Sequence, residues 1–469
     1  MRNDKKQQKR KNKAQLNLFS KNYRPITANA GRTGASSQMG VELLSRLEKQ
    51  RTLTANLLTK ILDYENLNRA YKQVRRNGGS SGVDEMEIEQ LGQWLGSNLE
   101  DLRTSLLTES YQVQPVRKVE IPKATGGTRM LGIPTVKDRL IQQAIHQALT
   151  PYYDPHFSEH SYGFRPGKDA HQAILQATHY IKEGKEWVVD IDLEKFFDKI
   201  NHDRLMQRLS KGIGDKRLLR LINAYLKAGL LEGGVLEQRT AGTPQGGPLS
   251  PLLSNIVLDE LDWELESRGH SFCRFADDCN IYVKSRKAGE RVMNSIIDFI
   301  EKKLKLRVNR AKSGVRHCSD VKFLGYTLLS AGGIRVADKS IDRLKDKIRE
   351  ITKRSRGVKF QMVIRELNSV IVGWTNYFSL ATRWLSKIRD LDGWIRRRLR
   401  CYKLKQCGRK YTIYKLLRNC GLPNQKSWNV VMSSQGWWAM TRKQALTKAL
   451  GLHWFALQGL QSLYLRMQV

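Results

Sequence analysis

Three stretches of this sequence predict a mixed α/β fold of the α+β kind. From Glu186 to Asp198 the residues alternate as a half-buried strand does, with Trp187, Val189, Ile191 and Leu193 on one face and Val188, Asp190 and Asp192 on the other. From Cys273 to Val283 two short apolar runs flank Ala276-Asp277-Asp278, which is the outline of a hairpin. Towards the C-terminus the apolar period becomes helical: Val363, Leu367, Val370, Ile371, Trp374, Tyr377 and Phe378 form one stripe, and Leu385, Ile388, Leu391, Ile395 and Leu399 another.

In chain order, residues 1–40 open with Lys5, Lys6, Lys9, Arg10, Lys11 and Lys13 and continue in Gly, Ser, Thr and Asn, which predicts a disordered basic arm. No apolar core follows those charges, so the arm is not a signal peptide. Leu53, Leu57, Leu58, Ile61, Leu62 and Leu67 predict a helix between Arg51 and Arg76, closed by the glycine-rich stretch Gly78–Gly82. Thr243–Leu253 is a Pro- and Gly-rich loop running into a helix, with Ser250 expected as its cap, Pro251 at its first position, and Leu252, Leu253, Ile256, Leu261 and Leu265 on its apolar face. Gly246 and Gly247 there lack the side chains that would keep a flat partner such as a base pair from the backbone. A further helix is expected over Ile341–Ile351.

At 469 residues the chain has length for roughly two to four domains. It has no run of about eighteen apolar residues, which excludes a membrane-spanning helix. The six cysteines, at 273, 279, 318, 401, 407 and 420, include no Cys-x-x-Cys pair, so neither a zinc finger nor a disulfide scaffold is indicated. Eighty-two Lys and Arg against 45 Asp and Glu leave a formal charge of +37. Such an excess suits a phosphate backbone, with affinity that falls steeply as salt rises. From Gly393 to Val469 there is no Asp or Glu, while Arg396, Arg397, Arg398, Arg400, Lys403, Lys405, Arg409 and Lys410 crowd the start of the segment. Trp394, Trp428, Trp437, Trp438 and Trp454 are interleaved with these cations, a pattern that serves base stacking as well as core packing.

The chemistry is concentrated in the carboxylates. Adjacent acids repel, and Asp-Asp is a poor tight-turn sequence, so Asp277 and Asp278 call for a counter-charge; hard oxygen ligands suit magnesium. Asp190 and Asp192 share one strand face and raise the same demand. Periodicity does not say which of the two would ligate a metal, and a solvated turn or an exposed strand face would also carry such residues.

Other segments join these in a recognisable order: Ile121–Pro134, Ser161–Gly167, Lys305–Lys312 and Lys322–Tyr326. Together they resemble the reverse transcriptases encoded by bacterial group II introns, also called maturases, of the type lacking a C-terminal endonuclease. The resemblance runs from about residue 50 to the C-terminus. It implies a right-hand polymerase: a helical extension over 41–110, fingers and palm over 111–335, a thumb or maturase X domain over 336–405, and a basic DNA-binding domain over 406–469. The family's spacing of its first metal-binding Asp to an aromatic nucleotide gate fits Asp192 with Phe197 and leaves Asp190 a supporting role. By the same resemblance Asp192, Asp277 and Asp278 hold two Mg2+ ions with the Leu193 carbonyl, and Phe197 excludes a ribose 2′-hydroxyl. Lys123 and Arg129 grip the incoming deoxynucleoside triphosphate, with Gln245 near its sugar and Lys312 near its phosphates. Arg165, Gly246, Lys387, Arg389, Arg396, Arg397, Arg398 and Arg400 are expected at nucleic acid. Phe275 stands where many relatives carry Tyr, which removes a hydroxyl near the primer end.

The implied activity is RNA-directed DNA synthesis on an RNA template with a DNA primer, joined to binding of group II intron RNA, assistance of its splicing, and insertion at target DNA within a bacterial cytoplasm, near the nucleoid. With no endonuclease expected, primers would come from strands such as those nascent at replication forks. Two other uses of the same elements are an RNA-binding splicing cofactor with dispensable polymerase activity, and a related polymerase turned to phage defence or DNA repair.

Overall fold

The computed structural model describes residues 55–122, 128–232, 235–237, 241–243, 246–381, 385–433 and 436–468. The expected basic arm, Leu53, Lys123 and Gln245 lie outside them. The chain divides into two compact units, Met1–Ala177 with Trp187–Arg316, and Thr178–Glu186 with His317–Val469.

The first unit opens with helices α1 (Leu57–Ile61), α2 (Tyr64–Asn77) and α3 (Ile88–Leu107). The single helix expected before Gly78 is broken at Asp63, whose carboxylate accepts from the Glu65 N–H at 3.1 Å and so starts a second helix. Gly78 ends that helix at φ +65°, a conformation open to a residue without Cβ. Strands β1 (Val116–Pro122) and β2 (Thr128–Ile133) form an antiparallel hairpin. Helices α4 (Val136–Tyr153) and α5 (Ala170–Lys182) lead to β3 (Trp187–Ile191). Then come α6 (Phe196–Lys199), α7 (His202–Gly212), α8 (Lys216–Lys227), β4 (Leu230–Glu232) and β5 (Val235–Glu237), the last two extending the first hairpin into a sheet of order β2-β1-β4-β5.

Helix α9 (Ser250–Ser267) begins at Ser250 itself, with Leu249 at the capping position and no side-chain cap, so Ser250 is not the cap that its sequence context predicts. Leu252, Leu253, Ile256, Leu261 and Leu265 are all buried, and so are the polar Asn255 and Asp262. Strands β6 (Ser271–Phe275) and β7 (Asp278–Val283), helix α10 (Arg286–Lys302) and β8 (Gly314–His317) complete the unit, and the second sheet has the order β6-β7-β3-β8. Val189, Ile191 and Ile281 of this sheet share a core with Ile296, Ile297 and Ile300 of α10 and with the apolar residues of α9.

The second unit carries the hairpin β9 (Tyr326–Leu329) and β10 (Gly333–Val336), followed by α11 (Asp338–Ile351), α12 (Phe360–Tyr377) and α13 (Leu385–Cys407). Their inward stripes follow the predicted period: Ile341, Leu344 and Ile348; Val363, Leu367 and Ile371; Ile388, Leu391, Ile395 and Leu399. Beyond them α14 (Lys410–Asn419), α15 (Asn424–Val431) and shorter helices enclose a separate core of Leu404, Ile413, Leu417, Val430, Val431, Met440, Leu446 and Leu450. The mixed α/β class is the one expected.

Candidate active site

The site is built where β3 lies between β7 and β8. Val189 pairs with Ile281, Asp190 with Asn280 and Ile191 with Cys279, and one further step of that register sets Asp192 beside Asp278. Just past the strand, the Asp192 backbone is fixed from both sides: its N–H donates to Ser313 Oγ at 3.0 Å and its carbonyl accepts from the Asn309 N–H at 2.8 Å. Leu193 is buried and bridges to Val308.

The hairpin tip differs from a bare Asp-Asp turn. Phe275 pairs directly with Asp278, so Ala276 and Asp277 form the turn and Asp278 opens the returning strand. Ala276 has φ +57°, an unusual conformation for a residue with a side chain. Arg274 helps hold it there. This arginine is wholly buried, and each of its five N–H donors has a partner: Nε and Nη2 reach the two Asp262 oxygens at 2.6 Å, Nη1 reaches Asn255 Oδ1 at 3.1 Å and the Ala276 carbonyl at 2.8 Å, and Nη2 also reaches Ser161 Oγ at 2.7 Å. Asn255 and Asp262 lie two turns apart on one face of α9. Sequence reasoning passed over Arg274, although a lone cation between Phe272, Cys273 and Phe275 in a strand already requires a buried partner.

The carboxylates act on one another. Asp278 reaches solvent at its edge, yet its carboxyl is pushed up to about 7, first by desolvation and then by the charges of Asp277, Asp190 and Asp192, with Lys312 acting in the opposite sense. Asp190 is also raised, mainly by burial, while Arg316 Nη1 at 3.0 Å draws it back. Lys312 Nζ lies 3.2 Å from Asp192 Oδ2. Four carboxylates with two facing cations form a negative cluster whose hard oxygens fit divalent ions of the magnesium type. As the side chains stand, no three acidic, imidazole or thiol groups among the described residues close on one point. Asp192 is paired with Lys312 instead, and Asp190 with Arg316.

Phe197 and Phe196 are both buried, their ring centroids 5.2 Å apart, and the Thr243 N–H donates to the Phe197 carbonyl at 2.6 Å. Gly246 has φ +121°, and a Cβ there would come within 2.9 Å of the Gly132 carbonyl on β2. The close approach that this glycine permits is therefore to the protein's own strand. Arg129 is on β2 opposite Ile121.

Two arginines expected at nucleic acid lie inside the protein. Arg165 is buried and donates to Asp154 Oδ1 at 2.7 Å and to the carbonyls of Asp154, Ser158 and Ser161. Arg400 is buried, donates to the Leu450 carbonyl at 3.0 Å, and is drawn down to about 10 chiefly by desolvation. A buried guanidinium bonded to the protein's own oxygens, as Arg165 is to Asp154, Ser158 and Ser161 and Arg400 is to Leu450, is turned away from nucleic acid, so both expectations are corrected. On the same helix Lys387 and Arg389 are exposed, Arg389 bonding Tyr464 Oη at 2.6 Å. Arg396 pairs with Asp392 at 2.5 Å, Arg397 lies 3.9 Å over the Trp438 ring, and Arg398 donates to Thr352 Oγ1 at 2.6 Å.

Known proteins agree with this architecture. Residues 121–328 match the family model "Reverse transcriptase (RNA-dependent DNA polymerase)", and residues 341–421 match "Group II intron, maturase-specific domain". The chain is 36% identical over 287 residues to Protein YkfC of Escherichia coli (strain K12), covering 53% of this chain and 75% of YkfC. It is 38% identical over 194 residues to the group II intron-encoded protein LtrA of Lactococcus lactis subsp. cremoris, covering 41% of this chain and 32% of LtrA. To the putative COX1/OXI3 intron 2 protein of Saccharomyces cerevisiae it is 28% identical over 339 residues, 59% of this chain and 39% of that protein. A sheet presenting clustered carboxylates, ahead of a helical unit, is the arrangement of a nucleic-acid polymerase with an appended RNA-binding module. The chain belongs to the reverse transcriptases that carry a group II intron maturase domain, a family of RNA-directed DNA polymerases.

Proposed function

We propose that this chain extends a DNA primer on an RNA template at the cluster of Asp192, Asp277 and Asp278, and that it also binds group II intron RNA and assists its splicing and mobility. One observation carries the catalytic reading: the register of β3 on the β6-β7 hairpin sets Asp192 beside Asp278, whose carboxyl is pushed up to about 7 first by desolvation and then by the charges of Asp277, Asp190 and Asp192. Asp192, Asp277 and Asp278, with the Leu193 carbonyl, would hold two Mg2+ ions. When bound, such ions supply an activated primer 3′-hydroxyl and a stabilised leaving oxygen for in-line attack on the α-phosphorus.

The chain's own residues prepare that reaction. Arg274 and the segment Ser158–Gly163 immobilise the turn bearing Asp277, and Ser313 and Asn309 immobilise the backbone of Asp192. Lys312, 3.2 Å from Asp192, would meet the triphosphate once that pair opens, and Asp190, paired with Arg316 at 3.0 Å, would have a supporting role. Phe197 would form the wall against a 2′-hydroxyl. Lys123, and Arg129 on β2, would grip phosphate, with Gln245 and Gly246 beside the nucleotide and template. Lys387, Arg389, Arg396, Arg397 and Arg398 would follow the backbone of bound RNA or of the template–primer duplex. Residues 111–335 would serve as fingers and palm, 336–405 as thumb, and 406–469 as the region meeting target DNA.

The test is primer extension on RNA with magnesium by the Asp277→Ala/Asp278→Ala double variant. Synthesis should vanish; retained synthesis would sink the mechanism. The maturase-domain match favours a second activity in the same chain, splicing assistance, which the double variant should keep.

A further inference from the structure

We propose that Tyr411, Tyr414 and Trp428 form a stacking platform for the unpaired bases of an RNA strand, an inference that rests on the reading of this chain as a binder of intron RNA. Tyr411, Tyr414, Lys415 and Arg418 share one stripe of α14, at the spacing that aligns side chains along a helix. The adjacent stripe of Ile413 and Leu417 is buried in the local core with Val430 and Val431 of α15, which turns Tyr411 outward, while Tyr414 packs half-buried against that core with its hydroxyl bonded to Asn424 Oδ1 at 3.0 Å. The Tyr411 and Tyr414 rings are stacked at 6.0 Å between centroids and 17° between planes, and Tyr414 and Trp428 at 4.5 Å and 21°. Three aromatic rings thus run in one array across two helices.

The two ends of the array stay open. Tyr411 is 57% exposed and Trp428 38%. Single exposed aromatics are ordinary, whereas a contiguous exposed array is what an interaction site leaves on a surface. Its surroundings indicate the partner. Lys415 Nζ lies 4.8 Å over the Tyr411 ring, and Arg409, Lys410 and Lys426 are exposed on the same two helices or at their ends. No Asp or Glu occurs from Gly393 to Val469, so nothing of opposite sign in this segment competes for those cations. Flat rings beside cations fit bases joined by phosphates. In a duplex the base faces are covered by their neighbours and only the backbone would be met, so the platform selects unpaired nucleotides. Tyr411 and Tyr414, though not Trp428, lie within the maturase-specific span 341–421, which points to RNA as the strand on this platform, beside the target DNA that the rest of 406–469 would meet.

The full chain is tested with a short unstructured RNA, the same strand as DNA, and the RNA paired to its complement. Tyr411→Ala and Trp428→Ala should each weaken binding of the single RNA strand roughly tenfold, the order of one lost base–ring stack, with duplex binding unchanged. Tyr411→Phe and Trp428→Phe keep the rings and should bind as the parent does. An RNA carrying 5-iodouridine should crosslink to Tyr411 or Trp428 on irradiation, a readout that contacts elsewhere on a basic protein do not supply. Absence of crosslinks at both rings, equal losses for duplex and single strand, or tighter binding of the DNA strand than of the RNA would overturn the proposal. Primer extension by the same variants separates this outcome from the polymerase reading: if the platform fails, cDNA synthesis persists, and if Asp277 and Asp278 prove dispensable, crosslinks at Tyr411 or Trp428 still stand.

Discussion

Arg274 shows how one side chain ties the chemistry to the fold. Its guanidinium joins α9 through Asn255 and Asp262, the segment before Gly163 through Ser161, and the acidic turn through the Ala276 carbonyl. Removing one member of a buried ion pair leaves the other charged and unpaired, which costs about 3–5 kcal/mol. Arg274→Met should therefore lower unfolding stability by about that amount in a denaturant titration, and Arg274→Met/Asp262→Leu by clearly less. Arg274→Lys keeps the charge but not the fork of donors, so it should retain more stability than the Met variant while still loosening the turn and slowing primer extension. A double variant as unstable as the single Met variant would contradict this account. The sequence displayed the anomaly of a cation within an apolar strand but not its partners, because Asp262 and Ser161 are 12 and 113 residues away.

At the scale of elements, the hairpin and the segment leading to Gly163 depend on close contact. A Cβ on Gly163 would collide with the Ala276 backbone nitrogen and lie 2.9 Å from the Phe275 carbonyl carbon, while the Gly163 carbonyl accepts from Asn255 Nδ2 at 2.8 Å. Backbone cannot swing aside as a flexible side chain can. Gly163→Ala should therefore push the acidic turn out of place and reduce the rate of primer extension by about a hundredfold, the order expected for an ångström of misplacement, with a smaller effect on RNA binding. Near-parental synthesis by this variant would show that the turn tolerates displacement. Element types were legible where period and length agreed, as in β3, the β6-β7 hairpin, and the helices ending at Ile351, Tyr377 and Cys407. Boundaries were less so. Asp63 restarts a helix that its apolar spacing alone would continue, and Ser250 falls inside α9 because the preceding turn, where the Ser250 N–H donates to the Gly247 carbonyl, supplies the entry instead of a hydroxyl cap.

For the whole molecule, charge governs the encounter with nucleic acid. With a formal charge of +37, binding of RNA should weaken on the order of a thousandfold or more between about 50 and 200 mM salt if some six to ten phosphates are contacted, with a linear dependence of log affinity on log salt concentration. A flat dependence in a filter-binding titration would remove the electrostatic account. Among the described residues no helix is long and apolar enough to cross a membrane, in line with the absence of a long apolar run. The sequence by itself determined the mixed class, the order of the acidic segments, the helical periods beyond the second sheet, and the excess of positive charge, because each is a property of spacing or composition along the chain. Tertiary structure alone decided which charges face solvent: Arg165 and Arg400 read as surface cations, yet internal carbonyls hold them in the interior. It also decided that Asp192 and Asp278, 86 residues apart, act on one another, and that Tyr411, Tyr414 and Trp428 form one array. Burial and mutual approach arise when distant segments pack together, and no local pattern of residue types encodes them.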